Sequence, residues 1–113
     1  MITNARTRTT AAAVVMLLTL STPHAAAQSA LQQRGRTLAV GMCGGCHAVG
    51  PAGQSPHIAA PPFGALSRQI DFDKFGRRLQ EGILTGHHDM PMFRFSRDDA
   101  RALVAYMRTI QGP

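Results

Sequence analysis

Cys43-Gly44-Gly45-Cys46-His47 is the stretch on which the reading of this chain turns. Two thiols separated by two residues and followed at once by an imidazole form the C-x-x-C-H spacing of covalent haem attachment. Each thiol can add across one haem vinyl group to make a thioether. Two intervening residues let both sulfurs reach the two vinyls on one edge, and the next residue then sits beneath the iron. His47 is therefore the expected proximal ligand, a neutral imidazole whose other ring nitrogen needs an acceptor to fix its orientation. The paired glycines lower helix propensity but let the backbone lie close against the ring.

Three other uses of two cysteines compete. A thioredoxin-like redox pair calls for a βαβ context, and no alternating strand pattern flanks the motif. A disulfide between Cys43 and Cys46 would close a small strained loop. Zinc would need further ligands than one cysteine pair and scattered histidines.

Upstream, Arg6 and Arg8 precede an apolar run from Ala11 to Leu20, and Pro23-His24-Ala25-Ala26-Ala27 supplies a break and a small-residue A-x-A site. Residues 1–27 read as a secretory signal cleaved before Gln28, with the domain proper spanning 28–113. The apolar run of about 10 residues is far shorter than the roughly 20 needed to cross a bilayer. The two arginines are not adjacent, which favours general export over the twin-arginine route and places the product in the periplasm.

The part after the signal keeps ten of the chain's twelve basic residues and all six acidic ones, a formal charge of +4. There is no Lys/Arg-rich run, no nucleic-acid reader motif and little aromatic interleaving, so nucleic acid is not an expected partner. A domain this short buries a small core and commonly needs a metal, disulfide or cofactor to complete it. With no Trp and only Phe63, Phe72, Phe75, Phe93, Phe95 and Tyr106 as aromatic material, a cofactor at the centre fits the shortage.

The rest of the chain reads as all-α, three or more short helices with long connections. Ser29 is a plausible cap for a first helix carrying Leu31, Gly35, Leu38, Ala39 and Met42 on one face and running into Cys43. Val49 to Pro62 is too rich in Gly, Pro and Ser for helix or central strand. Asp71 caps a second helix with Phe72, Phe75, Leu79 and Ile83 on its apolar face, ending near Gly86. Ser96 with Asp99 resembles a capping box opening the last helix, whose stripe is Ala100, Leu103, Val104, Met107 and Ile110, with Arg108 in its last turn.

A sixth iron ligand should come from a non-helical segment far from the motif, and Met90-Pro91-Met92-Phe93 fits. A thioether is soft and neutral, and a His/Met pair raises the reduction potential relative to two nitrogen ligands, which suits electron transfer. Pro91 stiffens the chain beside Met90, which makes Met90 the preferred ligand; Met92, His87 and His88 are the alternatives. Met42 and Met107 lie on helical stripes and read as core, and His57 as a solvent-exposed histidine.

Taken together, Cys43 to His47, Pro61-Pro62-Phe63, Met90-Pro91-Met92-Phe93 and Leu103-Val104-Ala105-Tyr106 resemble a class I cytochrome c of the small bacterial, one-haem kind. The resemblance implies a small cytochrome c fold wrapped around one covalently attached haem c; separately, a monomer is expected. It implies that Gly35 packs against Tyr106 of the last helix, and that a proline carbonyl, Pro61 being the one to carry over, accepts the free ring N–H of His47. Where many relatives have a large aromatic four residues after the packed glycine, this chain has Ala39, so Phe63 or Leu66 would complete the packing there.

The expected activity is outer-sphere electron transfer with both axial positions filled and no catalytic residue. Its partners would be a reductase, oxidase or dehydrogenase presenting an acidic face to a basic rim drawn from Arg68, Lys74, Arg77, Arg78 and Arg94. Two other functions compete: a haem enzyme or gas-binding protein with a displaceable sixth ligand, and a dedicated cytochrome subunit of one dehydrogenase.

Overall fold

The computed structural model describes residues 23–82 and 89–113. Among them there is no strand. Helix α1 (Pro23–Leu38) runs directly into a π-helical turn (Ala39–Cys43), and a 3-10 helix (Phe63–Arg68), α2 (Phe72–Glu81) and α3 (Arg97–Thr109) follow. The chain is all-α, as its periodicity implies, and the 3-10 helix is an element that the Pro-rich approach to it gave no sign of.

The helix starts are set by local chemistry. The Asp71 carboxylate accepts the N–H groups of Asp73 and Lys74 at 2.8 and 3.1 Å, satisfying donors that the first turn of α2 leaves without partners. Ser96 Oγ accepts the Asp99 N–H at 3.1 Å and donates to Asp99 Oδ2 at 3.0 Å, so the pair closes on itself through the hydroxyl rather than through the cap's own backbone N–H. For α1 the expectation fails. Ser29 lies inside α1 rather than at a cap, in a stretch whose alanines favour helix. The expected cleavage point before Gln28 thus falls within α1. Arg6, Arg8 and the apolar run lie outside the described residues, as do Ile83 and Gly86. The second helix closes earlier, at Gly82, whose φ is +101°.

The three α-helices meet on α3. Its stripe buries Ala100, Ala102, Leu103, Tyr106 and Met107, with Leu103 and Met107 completely enclosed. Phe72 and Leu79 of α2 and Phe63 and Leu66 of the 3-10 helix join the same core. Ala39 is fully buried in that cluster, so the position lacking a large aromatic is enclosed together with Phe63 and Leu66. Arg108 lies over the Phe72 ring at 5.4 Å and donates to Asp73 at 2.8 Å, fastening α3 to the start of α2.

The α1–α3 crossing is closest at Gly35. A Cβ there would overlap the carbonyl oxygen of Ala102 and lie 2.7 Å from Tyr106 Cβ, so only a residue without a side chain permits the approach. Tyr106 then reaches past the crossing and donates its hydroxyl to the Val49 carbonyl at 2.7 Å. One residue thus joins the helix crossing to the chain just beyond the cysteine motif.

Asp99 also links α1 to α3, accepting Arg34 Nε at 2.9 Å and Nη2 at 2.6 Å. The Arg34 bonds first, and the Ser96 hydroxyl second, hold its carboxyl below the ordinary 3.8. The backbone N–H groups of Lys74 and Asp73 do the same for Asp71. Groups with depressed folded-state values contribute stability that is present above the ordinary value and lost as pH falls through the folded one. Below about pH 4, therefore, the wild type should lose stability more steeply than Asp71→Asn/Asp99→Asn, as read from urea midpoints at stepped pH.

Candidate functional site

The π-helical turn delivers the motif. By winding one residue wider than an α-helix it shifts the register after Ala39, and Met42, expected on the core stripe, is instead 42% exposed and borders a cavity. Immediately beyond, the Cys46 and His47 N–H groups both donate to the Cys43 carbonyl, at 3.1 and 2.9 Å, folding the five motif residues into a tight turn. A Cβ on Gly44 would lie 2.7 Å from the Val40 carbonyl oxygen, so Gly44 answers first to the π turn behind it. Gly45 has open space around its Cα and borders the cavity, where a flat ligand can approach the backbone.

His47 is held by the following loop. Its Nδ1 lies 2.8 Å from the Pro61 carbonyl oxygen, and since a carbonyl only accepts, Nδ1 is the donor, which in the neutral ring leaves the lone pair on Nε2. The imidazole is tilted against Phe63 with ring centroids 5.1 Å apart. The loop is braced in turn by Phe63 N–H to the Ala48 carbonyl at 2.9 Å and by Ala48 N–H to Ser55 Oγ at 3.0 Å.

The cavity is about 270 Å³, close to the lower end of small-molecule sites at roughly 300 Å³. Cys43, Cys46 and His47 border it, as do Asp89, Met90, Pro91 and Phe93 from the segment before α3 and His57, Ala59 and Ala60 from the intervening loop. Of the two methionines in that segment, Met90 is half-buried at the cavity, whereas Met92 is 65% exposed with its sulfur beside Gly82. His87 and His88 lie outside the described residues. Pro61, though hydrogen-bonded to His47, is not itself part of the lining.

Burial, with the nearby Cys46 second, pushes the Cys43 thiol up to about 11. A redox-active pair needs the opposite shift, toward thiolate, so the thioredoxin-like use of these cysteines has no electrostatic support. Among the described residues no cluster of three or more His, Cys, Asp or Glu side chains is arranged to hold a metal ion. The donors that do gather, one imidazole with a free Nε2, one thioether and two thiols around a mostly apolar space, fit a haem held through its edge and its iron.

His57 departs from its expected place. It is half-buried, borders the cavity, and its Nε2 lies 3.3 Å from Asp89 Oδ2. Nothing local in the sequence marks this, since the partners are far apart along the chain and only the fold brings them together. None of Arg68, Lys74, Arg77, Arg78 and Arg94 borders the cavity; Arg68 donates to the Pro113 carbonyl and Arg94 to that of Glu81. Met42 and Ile58 are the exposed large apolar side chains at or next to the lining.

A family model described as cytochrome c oxidase, cbb3-type, subunit III matches residues 30–107. Cytochrome c-552 of Bradyrhizobium diazoefficiens is 26% identical to this chain over 98 residues, which cover 87% of this chain and 92% of that protein. No solved structure matches the chain.

Proposed function

The chain belongs to the class I c-type cytochromes, through the family of cbb3-type cytochrome c oxidase subunit III, and on that premise we propose that it is an exported shuttle in which Cys43 and Cys46 hold the haem, His47 and Met90 ligate its iron, and Pro61 orients His47. As a member of that family it is an electron carrier with covalently attached haem c. The observation that carries the assignment of residues is the single cavity bordered by both motif cysteines, His47 and Met90.

Haem, when bound, supplies a one-electron couple in which iron alternates between ferric and ferrous. The residues do the rest. The Pro61 carbonyl accepts a hydrogen bond from the Nδ1–H of His47, which would leave Nε2 to ligate the iron of a bound haem. Met90 offers a neutral sulfur, which with an imidazole favours the ferrous state over two nitrogens. The apolar lining disfavours the extra charge of the ferric state, and Met42 and Ile58 beside it give a partner protein an apolar surface close to the cofactor.

Export follows from the basic, apolar and A-x-A segments of residues 1–27. Residues 23–30 are exposed, so cleavage before Gln28 leaves the Gly35 crossing untouched. No helix among the described residues is long and apolar enough to cross a membrane. The family description also gives substance to a second reading, a dedicated subunit of a respiratory complex, which co-purification in fixed stoichiometry would establish.

The test is expression with haem-maturation machinery, followed by N-terminal sequencing and absorption spectra of both oxidation states. Periplasmic protein starting at Gln28, with sharp low-spin c-type bands and the weak far-red band of ferric iron bonded to methionine sulfur, is the expected result. A high-spin ferric spectrum, or no far-red band, would replace the proposal with a ligand-binding haem or bis-histidine ligation.

A further inference from the structure

We propose that His57 and Asp89 form a clasp across the cavity that positions Met90 for the iron, an inference that rests on Met90 being the sixth ligand. Asp89 is the residue immediately before Met90, and His57 and Asp89 both border the cavity. His57 Nε2 lies 3.3 Å from Asp89 Oδ2, a contact that spans 32 residues of sequence.

His57 is suited to be the fixed half. Its N–H donates to the Cys46 carbonyl at 3.1 Å and its carbonyl accepts the Ala60 N–H at 3.0 Å, so its backbone is tied to the motif on one side and to the buried end of the loop on the other. Its ring is set as well: the Ala59 N–H donates to Nδ1 at 3.2 Å. A backbone N–H can only donate, so Nδ1 is the acceptor and the ring proton of the neutral imidazole is on Nε2, the atom nearest the Asp89 carboxylate. The contact is attractive without a charged imidazole.

Asp89 belongs to the half that must be placed. Downstream, the segment is pinned at Phe95, which is buried and donates its N–H to the Leu79 carbonyl at 2.8 Å. Met90 lies five residues before that anchor, with Pro91 and the core-packed Phe93 between them. A second tie at Asp89 brackets Met90 between two fixed points and links it, through His57, to Cys46. A thioether is a weak ligand, so the fraction of time it occupies the iron depends on how narrowly the chain confines it, and any loss of confinement favours a competing ligand.

The side chains of His57 and Asp89 are 38% and 76% exposed, so the pair adds little to global stability, and its effect should appear locally. The experiment uses the haem-loaded wild type, His57→Leu, Asp89→Ala and the double variant, with imidazole titrated against the ferric protein. Each single variant should bind imidazole about two- to fivefold more tightly than wild type, the double no more tightly than the singles, with thermal midpoints unchanged. His57→Gln, which retains a donor, should lie closer to wild type than His57→Leu. Unchanged imidazole affinity, or single effects that simply add, would overturn the clasp while leaving Met90 as ligand. A wild type without the far-red band would overturn the Met90 assignment and the clasp with it.

Discussion

Gly35→Ala is expected to destabilise the haem-loaded protein by about 3 kcal/mol, at the upper end of what overpacking a well-packed contact costs. The added methyl has no free direction, because it would meet the Ala102 carbonyl, which is backbone, and the Tyr106 Cβ, which moves only with its helix. Relief therefore requires α1 and α3 to separate, and that costs contacts along the whole crossing. The damage should also reach the site. Helix α1 leads through the π turn to Cys43, and Tyr106 fixes Val49 just beyond His47, so both ends of the motif are referred to this one crossing. Urea unfolding monitored by helicity gives the energy, and the yield of covalently loaded protein reports the second effect. Gly41→Ala is the matched control: it lies in the π turn, nothing stands within 4 Å of its missing Cβ, and it should unfold within about 0.5 kcal/mol of wild type. If Gly35→Ala behaved like Gly41→Ala, the close crossing would not be what holds the fold.

What could be read in advance follows from how far each determinant acts along the chain. Covalent haem attachment imposes its spacing within five residues, so Cys43, Cys46 and His47 can be proposed for it without any fold. Helix caps are also local, and Asp71 and Ser96 act where their sequence context places them. Ser29 reads as a cap yet lies inside α1, because the alanines before it suit a small-residue cleavage site and a helix equally, and composition alone does not choose between those uses. A 3.6-residue period extended to Met42 puts it on the core stripe, but it runs through a π turn that breaks that period. No propensity marks that π turn; it accommodates the passage from the Gly35 crossing to the motif. His57 was illegible for a third reason, since its meaning comes from Asp89, brought near by tertiary structure alone. The pairing of Gly35 with Tyr106 is equally remote in sequence, and it was anticipated through family resemblance rather than through any pattern in the chain.

Met90→Ala should abolish the far-red band entirely and open the ferrous protein to carbon monoxide at about one per haem, with no denaturant present, while Met92→Ala leaves both properties unchanged. The two residues are chemically identical and two positions apart, so the contrast isolates placement. Met90 is half-buried at the cavity; Met92 is 65% exposed, turned to Gly82, and absent from the lining. Removing an exposed side chain of that kind shifts stability by no more than about 0.5 kcal/mol, so a normal unfolding curve for Met92→Ala is the accompanying expectation. If Met90 is the sixth ligand as proposed, its removal takes away a neutral sulfur that favours ferrous iron, and the reduction potential should fall, most of all where a nitrogen ligand takes its place. The spectra distinguish what replaces it. A high-spin ferric form that binds carbon monoxide on reduction means an open position. A low-spin form without the far-red band and closed to carbon monoxide means that a histidine has moved in, with His87 and His88 the nearest along the chain. A far-red band that survives in Met90→Ala and vanishes in Met92→Ala would transfer the ligand assignment to Met92 and require the segment after Asp89 to thread the cavity in a different register.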